Sequence, residues 1–332
     1  MLSKRFVNDG IATITLNEIQ KNAKRLVEQK MKDNTYTFEN VFCPVCETNN
    51  YKLLAQKDRY GLAVNTVICK KCGLLITTPR MNQSSLNQFY SGDYRELYTG
   101  SKFAQFDFAE EQNKHGIKIL KFINAHSEIH SLKNMLVMEV GCGTGGILTS
   151  FKEQGANVIG LDLGNDYLEY GRQKYNLNLQ QKSIKDYYGE KPDILIYSHV
   201  LEHTVLPDEI INIKNVCHDK TLIYIEVPGL LSIHKQYGDF LLYLQNAHLY
   251  HFSLNTLTNL FQKFGFSLVY GNEDIKCLFK VGINNKELFN AFDKNFSYLQ
   301  FIENHKLLFK IYRKIGSLKY KLKCKVKKII KR

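Results

Sequence analysis

Two residue sets in this 332-residue chain have the types and spacing to do chemistry. The first is Glu139-Val-Gly-Cys-Gly-Thr-Gly-Gly146, followed by Asp162. Gly141, Gly143 and Gly145 let the backbone turn tightly and approach a ligand with no Cβ in the way. An acid at Asp162 can accept hydrogen bonds from both ribose hydroxyls of an adenosine. Gly-x-Gly alone also fits dinucleotides. Glu139 shifts the balance, because an acid at a strand end attracts a cationic ligand or orients the glycine loop, whereas a pyrophosphate would be repelled. The alternative is a turn that merely packs a helix on a sheet. The second set is Cys43-Pro-Val-Cys46 and Cys69-Lys-Lys-Cys72, two Cys-x-x-Cys knuckles with 22 residues between them. Together they can give one Zn2+ ion four thiolates in a closed shell, which holds a fold and activates no water. Two disulfides would suit a reducing compartment poorly.

The elements that must position these groups follow from the apolar pattern. Met135–Met138 and Val158–Leu161 are apolar runs of buried-strand length, with a helical stretch from Ile147 to Gln154 between them. Strand, glycine turn, helix, strand and acid make half of a nucleotide-binding α/β sheet. A helix to about Tyr175 follows, then a short third strand, 191–198 as strand four and 221–227 as strand five. Phe266–Tyr270 and Lys276–Val281 read as a closing antiparallel pair. Ahead of the sheet, a helix is expected from Leu16 to Met31, capped by Thr15 with Glu18 three residues on. The domains are then 1–40, helical; 41–80, the metal ribbon; 81–130, a helical connector and lid carrying Tyr90, Tyr94, Tyr98, Phe103, Phe106 and Phe108; 131–285, the α/β domain; and 286–332, a basic helical tail. Cys142, Cys217, Cys277 and Cys324 are scattered singles suited to packing.

The net charge of +13 is localised. From His305 to Arg332 there are twelve Lys or Arg and no acid, leaving 33 basic and 32 acidic residues in the rest. In that tail Leu308, Ile311, Ile315, Leu318, Leu322, Val326 and Ile329 recur at helical spacing. Such a helix can pack on the body, lie on an anionic membrane surface, or contact nucleic-acid phosphates. The near-neutral body argues against extensive nucleic-acid contact. No run is long and apolar enough to span a membrane and the N-terminus lacks a signal-peptide core, so a cytoplasmic protein is expected, peripheral at the inner membrane face if the tail binds lipid.

The glycine loop with its following acid resembles motif I of class I S-adenosylmethionine-dependent methyltransferases. Residues 41 to about 285 resemble bacterial members with an N-terminal zinc ribbon. Cys72-Gly-Leu, Thr78-Pro-Arg80, Phe89-Tyr90, Tyr94, His199-Val-Leu-Glu-His203, His248-Leu-Tyr-His-Phe-Ser253 and Phe264-Gly-Phe266 carry that resemblance. It implies a seven-stranded Rossmann-like sheet and S-adenosylmethionine held by Glu139, Gly141, Cys142, Gly143, Gly145, Asp162 and His199, with Ser183 and Ile184 at the adenine. Many relatives act on sugars, on nucleotide carriers or in surface glycans, so a sugar or glycan acceptor is expected. Sugar C-methyltransferases carry Glu-His where this chain has Ala247-His248, which weakens proton abstraction beside a ketone and puts O-methylation on equal terms.

His203 and His248 are the base candidates, with Glu202 as orienting partner; each histidine could instead cap a helix or satisfy a core carbonyl. A methyltransferase for tRNA or protein, and a non-catalytic protein of the same fold, are the alternatives.

Overall fold

The computed structural model describes the backbone of residues 1–101, 105–282 and 287–330, and their side chains except those of 105–108 and 313–330. The chain opens with α1, Glu18–Lys32. Its N-cap is Asn17, not Thr15: the Asn17 side chain accepts from the Gln20 N–H, and Gln20 returns the bond to the Asn17 N–H. Asn is a better cap than Thr, and the reciprocal pair satisfies two free amides.

Three strands follow, β1 (Tyr51–Lys57), β2 (Ala63–Cys69) and β3 (Leu75–Thr77), in antiparallel order. Helices α2 (Gln83–Ser91), α3 (Asp93–Thr99) and α4 (Gln105–His126) lead into the main sheet. There the chain runs β4 (Leu136–Val140), α5 (Gly146–Lys152), β5 (Asn157–Asp162), α6 (Asn165–Tyr175), β6 (Asn178–Gln181), β7 (Ile194–Ser198), α7 (Asp208–Val216) and β8 (Leu222–Glu226). Further along lie β9 (Tyr250–His251), α8 (Leu254–Lys263), β10 (Phe266–Gly271), β11 (Lys276–Val281) and α9 (Phe292–Ile330).

The main sheet has seven strands in the order β10-β11-β8-β7-β4-β5-β6. β4 to β8 are parallel to one another; β11 is antiparallel to both β8 and β10. The chain leaves β4 toward β5 and β6, then returns to the other side of β4 as β7. That reversal opens a crevice beyond the carboxyl ends of β4 and β7, where ligands of open α/β sheets bind.

Alternation within the strands decides which face each residue covers. Val137, Ile194, Ile196 and Leu222 face α4 and α5, whereas Met138, Leu195, Ile223 and Ile225 share a core with Leu74 and Ile76 of the N-terminal module. Full burial of such a side chain contributes about 1.5–3 kcal/mol. The N-terminal module therefore shares the core of the main sheet. β9, contributed from the other end of the chain, pairs with β3 as its fourth strand. The opposite face of this small sheet, Leu54, Ile68 and Leu75, is covered by Leu299 and Ile302 from the first turns of α9.

α9 is pinned by Arg5, whose guanidinium bonds Asp239 and Glu303 together. Beyond that anchor Leu307, Leu308 and Ile311 are exposed. The other apolar positions expected for the tail, and Cys324, lie outside the described side chains, as do those of Phe106 and Phe108; Phe103 lies outside the described residues.

Candidate functional site

The glycine loop leaves β4 with Gly141, Gly143 and Gly145 at φ of +69°, +55° and +72°, a region that favours glycine. Asp162, at the tip of β5, takes the Gly143 N–H on one oxygen and the Gly164 N–H on the other, both at 2.8 Å. Each oxygen keeps a lone pair for a further donor, which suits two ribose hydroxyls. Gln112 of α4 braces the loop from beneath: its amide donates to the Cys142 carbonyl and accepts from the Thr144 hydroxyl. Sequence reading missed Gln112, which belongs to no motif.

Cys142 lies in the loop, but its thiol is fully buried and faces Gly160, so the side chain packs and only its backbone borders the crevice. Glu139 is also buried, and one carboxylate oxygen has no partner. Burial, reinforced by Asp162, pushes its pKa well above the usual carboxylate range. Ile184 is buried after β6, and the Ser183 hydroxyl bonds Asp186 at 2.5 Å.

Across the crevice His199 follows β7 at φ +58°. For a non-glycine residue that conformation costs about 1–2 kcal/mol, which the surroundings must hold. Its N–H donates to the Glu226 carbonyl at 2.8 Å, and its ring lies 3.6 Å from Glu202. Desolvation opposes the shift, but Glu202 and then Glu226 hold the imidazole above its ordinary value.

The sequence candidates converge. Ligand atoms of Glu202, His203 and His248 lie within 4.8 Å of one another. The short turn 201–203 places Glu202 in the interior, with no hydrogen bond to either oxygen. His203 Nδ1 is 3.1 Å from the Ala247 carbonyl and 2.9 Å from the Tyr90 hydroxyl, which leaves Nε2 toward Glu202. His203 thus satisfies a core carbonyl and presents its second nitrogen to the cluster. The His248 ring stands edge-on to His203 at 4.8 Å, with Nδ1 unpartnered. Burial lowers the pKa of both, His248 well below its usual value, which favours their neutral forms. Tyr94 stacks on Tyr98 at 4.5 Å and abuts His203, so α2 and α3 roof this cluster.

The N-terminal module positions it. Thr77 of β3 holds the Leu249 carbonyl with its N–H and the His248 carbonyl with its hydroxyl. Arg80 donates to the Tyr250 hydroxyl at 2.6 Å.

A second group escaped sequence reading. His115 of α4 bonds Glu226, at the end of β8, at 2.7 Å, and its ring lies 6.2 Å from His199. Tyr224 and Lys276 also engage Glu226. Although burial opposes it, His115, His199 and Lys276 pull the Glu226 carboxyl down to about 2. Only the fold joins a helix residue to a strand end so distant in sequence.

The four predicted metal ligands are together as well. Sγ of Cys43 and Cys72 are 3.5 Å apart, those of Cys46 and Cys69 3.3 Å. A disulfide needs about 2.05 Å, whereas two thiolates on one tetrahedral zinc, at about 2.3 Å each, stand about 3.8 Å apart. The two knuckles match: Glu47 and Gly73, each following a second cysteine, have φ of +56° and +80°, and each donates back to the first cysteine's carbonyl. The donor set fits a tetrahedral zinc.

Residues 109–270 match the family model described as "Methyltransferase domain". Crevice, glycine loop and strand-tip acid make this part of the chain a class I S-adenosylmethionine-dependent methyltransferase domain. Among curated proteins the chain is similar to two ubiquinone biosynthesis O-methyltransferases. That of Hydrogenovibrio crunogenus is 30% identical over 40% of this chain and 59% of its own length. That of Glaesserella parasuis is 28% identical over 55% of this chain and 80% of its own length. The match to the first thus spans under two thirds of that relative. Among solved structures, the Burkholderia thailandensis 1,6-didemethyltoxoflavin-N1-methyltransferase has a TM-score of 0.43 at 15% identity, covering 62% of this chain and 93% of that one. Magnesium protoporphyrin IX methyltransferase from Synechocystis PCC 6803 has a TM-score of 0.41 at 15% identity, covering 60% and 98%.

Proposed function

We propose that the protein methylates a hydroxyl oxygen of a sugar, nucleotide-linked or within a surface glycan. The observation that carries this reading is the gathering of His203, His248 and Glu202, whose ligand atoms lie within 4.8 Å of one another. S-adenosylmethionine would be held by the glycine loop, Asp162 and the His199 edge, and it supplies an electrophilic methyl group for in-line displacement. The chain's own residues then position the acceptor oxygen and take its proton. His248, with Nδ1 free, receives that proton; the Glu202 carboxylate steadies the resulting imidazolium; the tyrosine roof excludes water. The curated relatives named as O-methyltransferases support oxygen as the acceptor atom. Their names give an acceptor from ubiquinone biosynthesis as the second reading.

The experiment uses methyl-labelled S-adenosylmethionine and a cell extract separated into small-molecule, lipid, polysaccharide, RNA and protein fractions. A Gly141/Asp162 double variant serves as the blank. Label in nucleotide-sugar or polysaccharide supports the sugar reading, and label in the lipid fraction supports the second. Label in RNA or protein overturns both.

Cys43, Cys46, Cys69 and Cys72 would hold a structural zinc that ties the small sheet to its neighbours. Lys263 of α8 reaches the Pro44 carbonyl and Glu47 at one knuckle, and Asn295 of α9 reaches the Gly73 carbonyl at the other. The basic end of α9, with Leu307, Leu308 and Ile311 exposed at its start, is assigned to an anionic membrane surface. Among the described residues no helix is long and apolar enough to cross a membrane.

A further inference from the structure

Buried polar groups in a folded protein nearly all have partners. Around the Glu202–His248 cluster several lack a hydrogen bond: both oxygens of Glu202, Nδ1 of His248, both ring nitrogens of His251, Nε of Arg59 and Nδ2 of Asn246. The first three residues belong to the proton-transfer side. Arg59 and Asn246 are different, since the unused atom of each is an N–H donor.

Arg59 lies in the turn between β1 and β2, and its backbone N–H is tied to the Leu244 carbonyl. Its guanidinium lies 5.0 Å from the Tyr60 ring centre and 5.8 Å from that of Tyr98, with one terminal nitrogen on the Tyr60 hydroxyl. The Tyr98 hydroxyl donates to Asn246 Oδ1 at 2.6 Å, which turns the amide so that its NH2 is the free end. The Asn246 backbone N–H is fixed by Asp58. One tyrosine thus connects both donors, and Arg59 is close enough to His248 for its charge to lower that histidine's pKa.

Among the described residues no carboxylate forms an ion pair with Arg59. The adjacent Asp58 instead accepts the backbone N–H groups of Tyr60, Leu62 and Asn246. A half-buried guanidinium with no carboxylate in ion-pair contact and Nε unused, beside an unused amide donor, has the chemistry of an oxyanion receptor.

We propose that Arg59 and Asn246 form an oxyanion subsite of the acceptor pocket, so that the acceptor carries a phosphate or carboxylate group which they hold while its hydroxyl faces His248. This rests on the acceptor site proposed above and narrows it to anionic acceptors. It also gives the N-terminal module a direct part in recognition, because Arg59 is its residue.

The test titrates inorganic phosphate and, separately, acetate into the full-length protein saturated with S-adenosylhomocysteine in a zwitterionic buffer. The readout is thermal midpoint and amide chemical shifts. The wild type should respond saturably to at least one probe; phosphate alone points to a phosphorylated acceptor, acetate to a carboxylated one. Arg59→Met, which keeps the apolar stem on the tyrosines, should weaken that response at least tenfold while S-adenosylhomocysteine affinity stays unchanged. Asn246→Asp keeps the Oδ1 bond to Tyr98 and gives Arg59 an internal carboxylate. It should be at least as stable as wild type without anion and insensitive to either probe. A wild type indifferent to both anions, or variants that respond like wild type, would overturn the subsite. Failure of every form to bind S-adenosylhomocysteine would instead overturn the cofactor reading.

Discussion

A Cβ at Gly141 would collide with Cγ2 of Val200, while the Val200 Cβ and Cγ1 would stand at an ordinary 3.5 Å. Gly141→Ala therefore has two separable costs. The backbone at φ +69° is disfavoured for alanine by about 1–2 kcal/mol. Overpacking against the one valine methyl adds about 1–3 kcal/mol. Val200→Ala alone should cost only about 1 kcal/mol, because Val200 is half-buried. In the double variant the collision disappears and the backbone term stays, so the pair should couple favourably by about 1–3 kcal/mol. Val200 also precedes the 201–203 turn, so the displaced methyl should disturb His199 to His203 and weaken S-adenosylhomocysteine binding at least tenfold, with partial recovery in the double variant. Urea unfolding of all four proteins and calorimetric titration measure both quantities. If the two substitutions are additive, Gly141 and Val200 are not in contact across the crevice and the placement of the loop against the strand-four segment is wrong.

His248→Gln should lower methyl transfer by roughly 10²–10⁴-fold, the usual weight of a general base, without changing S-adenosylhomocysteine affinity; an undiminished rate would remove His248 from the chemistry. Cys69→Ser should lose the bound zinc, measured by metal analysis, and lower the unfolding midpoint. Because Thr77, which holds the His248 carbonyl, lies on the strand paired with that of Cys69, the rate should fall as well, and unchanged metal content would refute the four-thiolate site. Burial drives the His251 pKa down to about 3 and also lowers those of His203 and His248. Their neutral forms therefore contribute stability that is present above the unfolded histidine value of about 6.5 and lost as pH falls toward 3. Urea midpoints should drop between pH 7 and pH 4, and less steeply in His251→Asn; equal slopes would contradict the assignment. Truncation after Glu303 keeps the Arg5 anchor and should abolish binding to anionic liposomes while sparing activity on a soluble acceptor, whereas undiminished liposome binding would exclude the tail as a membrane contact.

Local chemistry made much of this molecule readable in advance. The glycine loop, the strand-tip acid, the cysteine knuckles and the period-two strands are each written within a few consecutive residues, because tight turns, chelation and strand burial impose short-range spacing. The seven-stranded sheet and the neighbourhood of Glu202 and His203 follow from such signals. Helix capping was legible only approximately: Thr15 and Asn17 both satisfy the pattern, and the reciprocal Gln20 bond chose between them. Tertiary structure decided the rest. β9 is two residues long, too short to announce itself, yet its pairing with β3 joins the N-terminal module to the main sheet and sets His248 beside His203. The His115–Glu226 pair, the Gln112 brace and the Arg59–Asn246 donors unite residues far apart in the chain with no spacing to betray them. Such contacts exist only once the crevice closes around them, since a hydrogen bond between distant segments is specified by the packing of whole elements and leaves no period in the sequence.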